Sequence, residues 1–284
     1  ARGAVVSAET PLALGSYADG VTPFLGGLAR AELHDEALTA EALASAWQRW
    51  QAEHPLADHF SFAQASDLHV TDTRSVELIN DAVDQINADP RVAFSLWLGD
   101  LTRQSEPDEM LLARLALKRL VRPWYVLRGN HDQYGGSFEA VFGATHQVVR
   151  HAGWVFLLAD TNPGDEVPMA ASQQTWLKEQ LAGTERTTPL VLATHHPLMP
   201  QTKGYLLAGA AEVLGLFGGH NLKAALAGHF HGNQEQRANG VLFTTTACLS
   251  STRTNHDGGK ARGYRLFHCR EGEISTEFVP VAEL

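Results

Sequence analysis

Val92-Ala93-Phe94-Ser95-Leu96-Trp97-Leu98-Gly99-Asp100 is a short apolar run that breaks, at a glycine, into a carboxylate. Its length is that of one strand, and so continuous an apolar run marks a strand covered on both faces. Residues 110–121 then follow helical spacing, and Trp124–Leu127 is a second strand run that ends in Gly129-Asn130-His131-Asp132. The same rhythm continues outward from this pair. Upstream, His59–Ala65 alternates and gives way to Ser66-Asp67-Leu68-His69, and Val76, Ile79, Val83 and Ile86 recur at helical spacing. Downstream, residues 154–159 read as a strand and 172–181 as a helix with Ser172 at its N-cap. A strand over 190–194 ends in His195-His196-Pro197, and one over 222–226 ends in Gly228-His229-Phe230-His231. Three strand-like runs close the chain near 241–246, 264–269 and 273–279, with no helix between them. Alternating strands and helices followed by a strand-rich tail define an α/β fold with a mixed sheet or two sheets packed face to face.

The composition of the 284 residues agrees with a globular protein. Hydrophobic residues are 44% and charged residues 19%, which excludes disorder, collagen and coiled coil. No apolar run reaches the roughly 18 residues of a membrane span. A net charge of −10 argues against a broad nucleic-acid surface, while leaving room for a local basic cleft. Two cysteines, Cys248 and Cys269, are too few for a disulfide framework or a cysteine zinc cluster. Both lie in strand contexts, where buried free thiols are expected and a bridge is the alternative. The chain opens at Ala1 with no visible export signal, which leaves the compartment open between cytoplasm and export.

Residues 1–57 read as an N-terminal extension. A loop rich in small residues precedes a helix over 38–53, with Leu38, Leu43, Ala46, Trp47 and Trp50 on one face. Its two tryptophans predict an arm packed on the main domain, residues 58–284, with a lid over the site as the sharper alternative.

The chemistry gathers at strand ends. Asp67 with His69, then Asp100, Asn130 with His131, His195 with His196, and His229 with His231 each follow a predicted strand. Loops beyond the carboxyl ends of strands share one edge of an α/β sheet, and ligands bind there. Packing asks for apolar residues at such positions, so five polar clusters in register point to a site. Two carboxylates, one amide oxygen and several imidazoles suit transition metals such as Zn, Mn or Fe better than Ca or Mg. The number of ligands points to two ions. A water held between two cations is acidified from a pKa of 15.7 towards roughly 7, so no Ser, Cys or Thr nucleophile is needed. No G-x-S-x-G elbow occurs either.

The order Asp67-x-His69, Gly99-Asp100, Gly129-Asn130-His131-Asp132, His195-His196-Pro197, Gly228-His229-x-His231 resembles the calcineurin-like metallophosphoesterases. The Gly-Asn-His-Asp and His-His-Pro segments are most similar to the bacterial cyclic-nucleotide and glycerophosphodiester phosphodiesterase branch and to the purple acid phosphatases. The resemblance implies a four-layer αββα sandwich. It further implies that Asp67, His69 and His231 hold one metal, that Asp100 bridges, and that Asn130, His195 and His229 hold the second. The implied role of His131 is to face the phosphoryl group and protonate the leaving oxygen, and that of Asp132 is to orient His131 or its loop.

Around this pattern other residues take lesser roles. Arg103 occupies the place of the purple acid phosphatase tyrosine ligand, so no tyrosinate–iron site is expected. Arg103 either donates to a substrate phosphate or pairs with Glu106 or Asp108. His196 is expected on the substrate side or behind the ligands. Thr252, Asn255, His256 and Asp257 read as a surface loop, with a pocket border as the alternative. Tyr205 and residues 206–217 read as a short helix over the cleft. The expected activity is hydrolysis of a small phosphoester, with diesters slightly favoured because only Arg103 stands near a metal motif. A broad phosphomonoesterase and a non-catalytic metal-binding scaffold are the alternatives. No nucleic-acid duplex is expected as partner, and oligomeric state is left open.

Overall fold

The computed structural model describes residues 59–164 and 167–284, together with Thr39 and Ser45. The chain divides into two compact units, Ala1–His54 and Pro55–Leu284, and it is the second whose structure follows. The expected helix over 38–53, and the choice between arm and lid, lie outside the described residues.

Two mixed sheets carry the domain. In the first, β1 (His59–Ala65), β2 (Val92–Leu98) and β3 (Trp124–Leu127) run parallel. The C-terminal hairpin of β10 (Ala261–Arg270) and β11 (Glu273–Glu283) joins them antiparallel, in the order β11-β10-β1-β2-β3. In the second, β5 (Trp154–Leu158), β6 (Pro189–Ala193), β7 (Asn221–Ala227) and β9 (Val241–Thr245) run parallel. Antiparallel edges, β4 (Gln147–His151) and β8 (Glu235–Ala238), close it in the order β4-β5-β6-β7-β9-β8.

The sheets face each other across an aromatic core. Phe62 stacks on Phe94 at 5.2 Å and on Phe267 at 4.8 Å, and meets the edge of Phe156 from the second sheet at 5.1 Å. All four rings are buried. Such offset and edge-on arrangements add to the area the rings bury. The outer faces are covered by helices. On the first sheet, α1 (Glu77–Ala88) turns Leu78, Ile79, Ala82, Val83 and Ile86 inward. Beside it α2 (Pro107–Leu117) starts with a proline in its first turn and a Glu106–Glu109 capping box. On the second sheet, α4 (Ala171–Ala182) buries Leu177 and Leu181. Between them in the chain, α3 (Ser137–Phe142) is a short helix that buries Phe138. This is the four-layer αββα architecture.

One local reading changes, one is narrowed and two strands are added. Ser172 lies inside α4, whose N-cap is Ala170, because the Ala170 carbonyl already accepts the amides of Gln173 and Gln174. Residues 206–217 hold only a short helix, α5 (Ala210–Gly215), and the turn before it, Pro200–Tyr205, is 3-10. The edge strands β4 and β8 had no apolar pattern to reveal them. Glu235-Gln236-Arg237-Ala238 pairs with β9 alone and needs no buried face of its own.

Candidate metal centre

The carboxyl ends of β1, β2 and β3 in one sheet and of β6 and β7 in the other meet at one edge of the sandwich. The loops there are laced by their own backbones. Asp67 and His69 donate their amides to the carbonyls of Gly99 and Asp100, and Gly228 donates to His195. Close approach requires glycine at two points. A Cβ on Gly129 would lie 2.2 Å from the Asp100 amide nitrogen, and one on Gly99 would lie 2.5 Å from His195 Nδ1. Asp67, His69, Asp100, His229 and His231 all hold positive φ, between 46° and 61°. A left-handed non-glycine residue costs of order 1–3 kcal/mol and persists only where the surroundings impose it. Here the strain sits on candidate metal-binding residues.

Their side chains converge in two groups. Asp67, His69, Asp100 and His231 offer donor atoms all within 4.8 Å of one another, and His195, His196 and His229 do the same. Asp100 stands between the groups, with Oδ2 3.5 Å from His69 Nε2 and Oδ1 3.3 Å from His195 Nε2. Asn130, from the 3-10 turn after β3, puts Oδ1 3.0 Å from His195 Nε2. His231 Nε2 lies 3.1 Å from His69 Nε2 and 3.3 Å from Asp67 Oδ1.

The donor set fits cations. His195 commits Nδ1–H to the Leu98 carbonyl at 2.7 Å, and His231 commits Nδ1–H to the Thr254 carbonyl at 3.2 Å. That fixes each Nε2 as the nitrogen facing the cluster, the arrangement by which backbone carbonyls orient metal-binding imidazoles. The Nε2 lone pairs then point at carboxylate and amide oxygens, acceptor against acceptor, unless a proton or a metal lies between. Without metal, protons take that place. Burial would lower the pKa of His195 and His231, yet Asp100 and Asp67 respectively outweigh it and raise them to about 9 and about 11. Burial likewise works against ionised Asp67, but His231 holds it at about 2. Asp100 is held well below the usual carboxylate range, His195 outweighing its burial. His69 is lowered to about 3, because burial exceeds the pull of Asp100, and so stays neutral.

His131 stands at the rim. Its amide donates to Asp100 Oδ1 at 2.9 Å, its Nδ1 faces the Arg103 carbonyl at 2.6 Å, and its ring meets the His69 ring edge-on at 4.8 Å. Asp132 is fully buried and does not touch the His131 ring. It accepts the amides of Gly129, Leu101 and Thr102 and the Thr102 hydroxyl, tying the Asp100 loop to the Asn130 turn. Burial and the nearby Asp100 carboxylate push its pKa up to about 6. It is a strut of the site, away from the reacting face.

The structure narrows two alternatives that the sequence left open. His196 does not reach the substrate side: it is 1% exposed, its Nδ1 lies 2.8 Å from the Thr161 hydroxyl, and its ring packs against His195 and His229. Arg103 makes no ion pair with Glu106 or Asp108, since Glu106 is engaged in the α2 capping box; it lines a cavity instead. Cys248 and Cys269 are both free and buried.

The sequence reading missed Arg253, whose guanidinium lies 3.3 Å from His131 Nε2. The only signal was the polar stretch around it. That stretch borders the site: His256 stacks between Tyr205 at 4.8 Å and His231 at 4.9 Å.

The profile of the calcineurin-like phosphoesterase family matches residues 60–233. The chain belongs to that family, and it is a phosphoester hydrolase. Among individual proteins, human tartrate-resistant acid phosphatase type 5 is 25% identical over 300 residues, covering 90% of this chain and 83% of the human one. The purple acid phosphatase PPD1 from yellow lupin (Lupinus luteus) seeds has a similar fold, with a TM-score of 0.60 at 12% identity. The match covers 78% of this chain and only 52% of the lupin protein. GAP50, the anchor in the inner membrane complex of Plasmodium, aligns with a TM-score of 0.59 at 15% identity, over 78% of this chain and 85% of its own. At these identities the two structures show shared fold alone. The family and the human relative together imply a dinuclear transition-metal centre, for which the two donor groups are the candidate ligands. Among the described residues no helix is long and apolar enough to cross a membrane.

Proposed function

We propose that this chain is a dinuclear metal-dependent phosphomonoesterase acting on a small substrate. Asp67, His69 and His231 would hold one ion, Asn130, His195 and His229 the other, with Asp100 between them; Mn, Zn and Fe suit the mixed nitrogen and oxygen donors. The observation that carries this reading is the Asp100 carboxylate, which turns one oxygen towards each donor group. Bound cations supply an acidified water and neutralise the charge on the phosphoryl oxygens. The remaining work falls to the protein. His131, with Nδ1–H given to the Arg103 carbonyl, would in its imidazolium form carry on Nε2 the proton that passes to the leaving oxygen, and would return to neutral imidazole. Asp132 keeps the two loops that carry Asp100 and Asn130 in register.

The expected preference for diesters rested on Arg103 being the lone arginine at the site. Arg253 stands there as well, so a scarcity of arginine no longer argues against a monoester. The name of the human relative, an acid phosphatase, points the same way. The test compares 4-nitrophenyl phosphate with bis(4-nitrophenyl) phosphate on metal-loaded protein. A kcat/KM at least about tenfold higher for the monoester, ~1.4 kcal/mol in transition-state binding, is expected. A tenfold preference for the diester would restore the original expectation, and full activity in metal-free protein would end the dinuclear reading.

A further inference from the structure

Next to the metal centre lies a cavity of about 440 Å³, lined by Arg103, Gln104, His131, Tyr134 and Arg253. None of these is a candidate metal ligand, and among the described residues no carboxylate lines the space. His131 is the partition: its ring meets His69 on the metal side, and its Nε2 meets Arg253 on the cavity side.

Arg253 is held there by a built support. Arg262, only 3% exposed, spends its guanidinium on the carbonyls of Ser250, Lys260 and Arg253 itself. The Asn255 carboxamide accepts the Cys248 amide and donates to the carbonyls of Gly259 and Ala261. A loop so pinned does not place its arginine by accident of solvent. The Arg253 Nε is buried and finds no hydrogen-bond partner among the described residues, and neither Arg253 nor Arg103 forms an ion pair with a described carboxylate. In a chain with 32 acidic residues against 22 basic ones, two guanidiniums facing one cavity without a counter-charge leave an anion to be supplied from outside.

We infer that this cavity is a second anion subsite, which takes a phosphate or carboxylate carried on the leaving group of the substrate. The inference rests on the phosphoester reading above and deepens it. The scissile phosphoryl group belongs to the metals; whatever the arginines hold lies beyond His131, on the side to which the leaving group departs. Planar guanidinium forks match the paired oxygens of both anions. A site built for such a group rejects a substrate that lacks it, because its own donors are then left unpaired.

The first experiment measures kcat/KM on metal-loaded protein for phenyl phosphate, 3-carboxyphenyl phosphate and inorganic pyrophosphate. At least one anionic substrate should exceed phenyl phosphate by about tenfold or more, and which one does so distinguishes carboxylate from phosphate. Arg253→Gln should cut that ratio at least tenfold, Arg253→Lys should restore part of it, and Arg103→Gln, on a different loop, should lower it independently. A ratio near one in the unaltered protein, or an equal loss for all three substrates in Arg253→Gln, would overturn the subsite. The second experiment separates this from the parent reading, using inorganic pyrophosphate titrated calorimetrically into metal-free protein. Binding that weakens at least tenfold in Arg253→Gln supports the subsite even if no ester is turned over, whereas absence of binding overturns it.

Discussion

The metal edge and the arginine cavity adjoin each other, yet they are built on opposite terms. At the metal edge donors are buried, their backbone is strained into positive φ, and lone pairs are aimed at one another. In the cavity the groups are half-buried cations, and the loop of Arg253 is held from behind by the Arg262 guanidinium, which donates to the Ser250 and Arg253 carbonyls. The first region is short of positive charge and the second of negative. A phosphoester brought across the two, with cations on one side of His131 and arginines on the other, meets both needs.

The sharpest way to break this contrast is at Asp100. Asp100→Asn removes the one charge that faces both donor groups. Metal analysis should fall from near two ions per chain to one or fewer, with turnover lost by more than the roughly 100-fold that a residue supporting a ligand is worth. Retention of both ions would detach Asp100 from the centre. His131→Ala comes next, because it removes the partition but no ligand. Its kcat should drop roughly 10²–10⁴-fold with metal content near that of the unaltered protein, and less for nitrophenolate than for an alkoxide leaving group. Asp132→Asn leaves every ligand in place and weakens only their support. Metal affinity should fall about 10–100-fold, measured by competition with a chelator.

The smallest effect is a dependence on pH. In metal-free protein, burial disfavours charged His195 and His231, but Asp100 and Asp67 hold their pKa at about 9 and about 11, above the ordinary 6.5. A raised pKa adds stability that is complete below pH 6.5 and disappears as pH rises through the folded value. The Tm of metal-free protein should therefore decline from about pH 7 towards pH 11. Bound metal replaces those protons, so the decline should be much smaller in the loaded protein. Equal slopes in the two would mean that these imidazoles do not face the ions.

Most of the fold was legible in the sequence because buried parallel strands announce themselves. Each of the five strands that lead to the site is an apolar run closed by a polar loop, and all five occur within a residue or two of the expected places. Edge strands β4 and β8 were not legible, since Gln147, Arg150 and His151 in the one and Glu235, Gln236 and Arg237 in the other leave too few apolar residues for a pattern. The candidate ligands were legible because they cluster just past strand ends, with Asp100, Asn130 and His229 directly behind a glycine. Arg253 was not. It comes to His131 from 122 residues further along the chain, on a loop whose shape depends on buried Arg262 and Asn255.

By itself the sequence determined the layers and the residue types at one edge, because periodicity and strand length are local properties that hydrophobic burial reads directly. Only the tertiary structure decided which oxygen of Asp100 faces which group, that His196 turns inward, and that Asp132 holds backbone amides. It also decided that two arginines from distant loops share a cavity. Those are matters of distance between strand ends, set by how two sheets pack across Phe62 and its neighbours, and no local pattern encodes them.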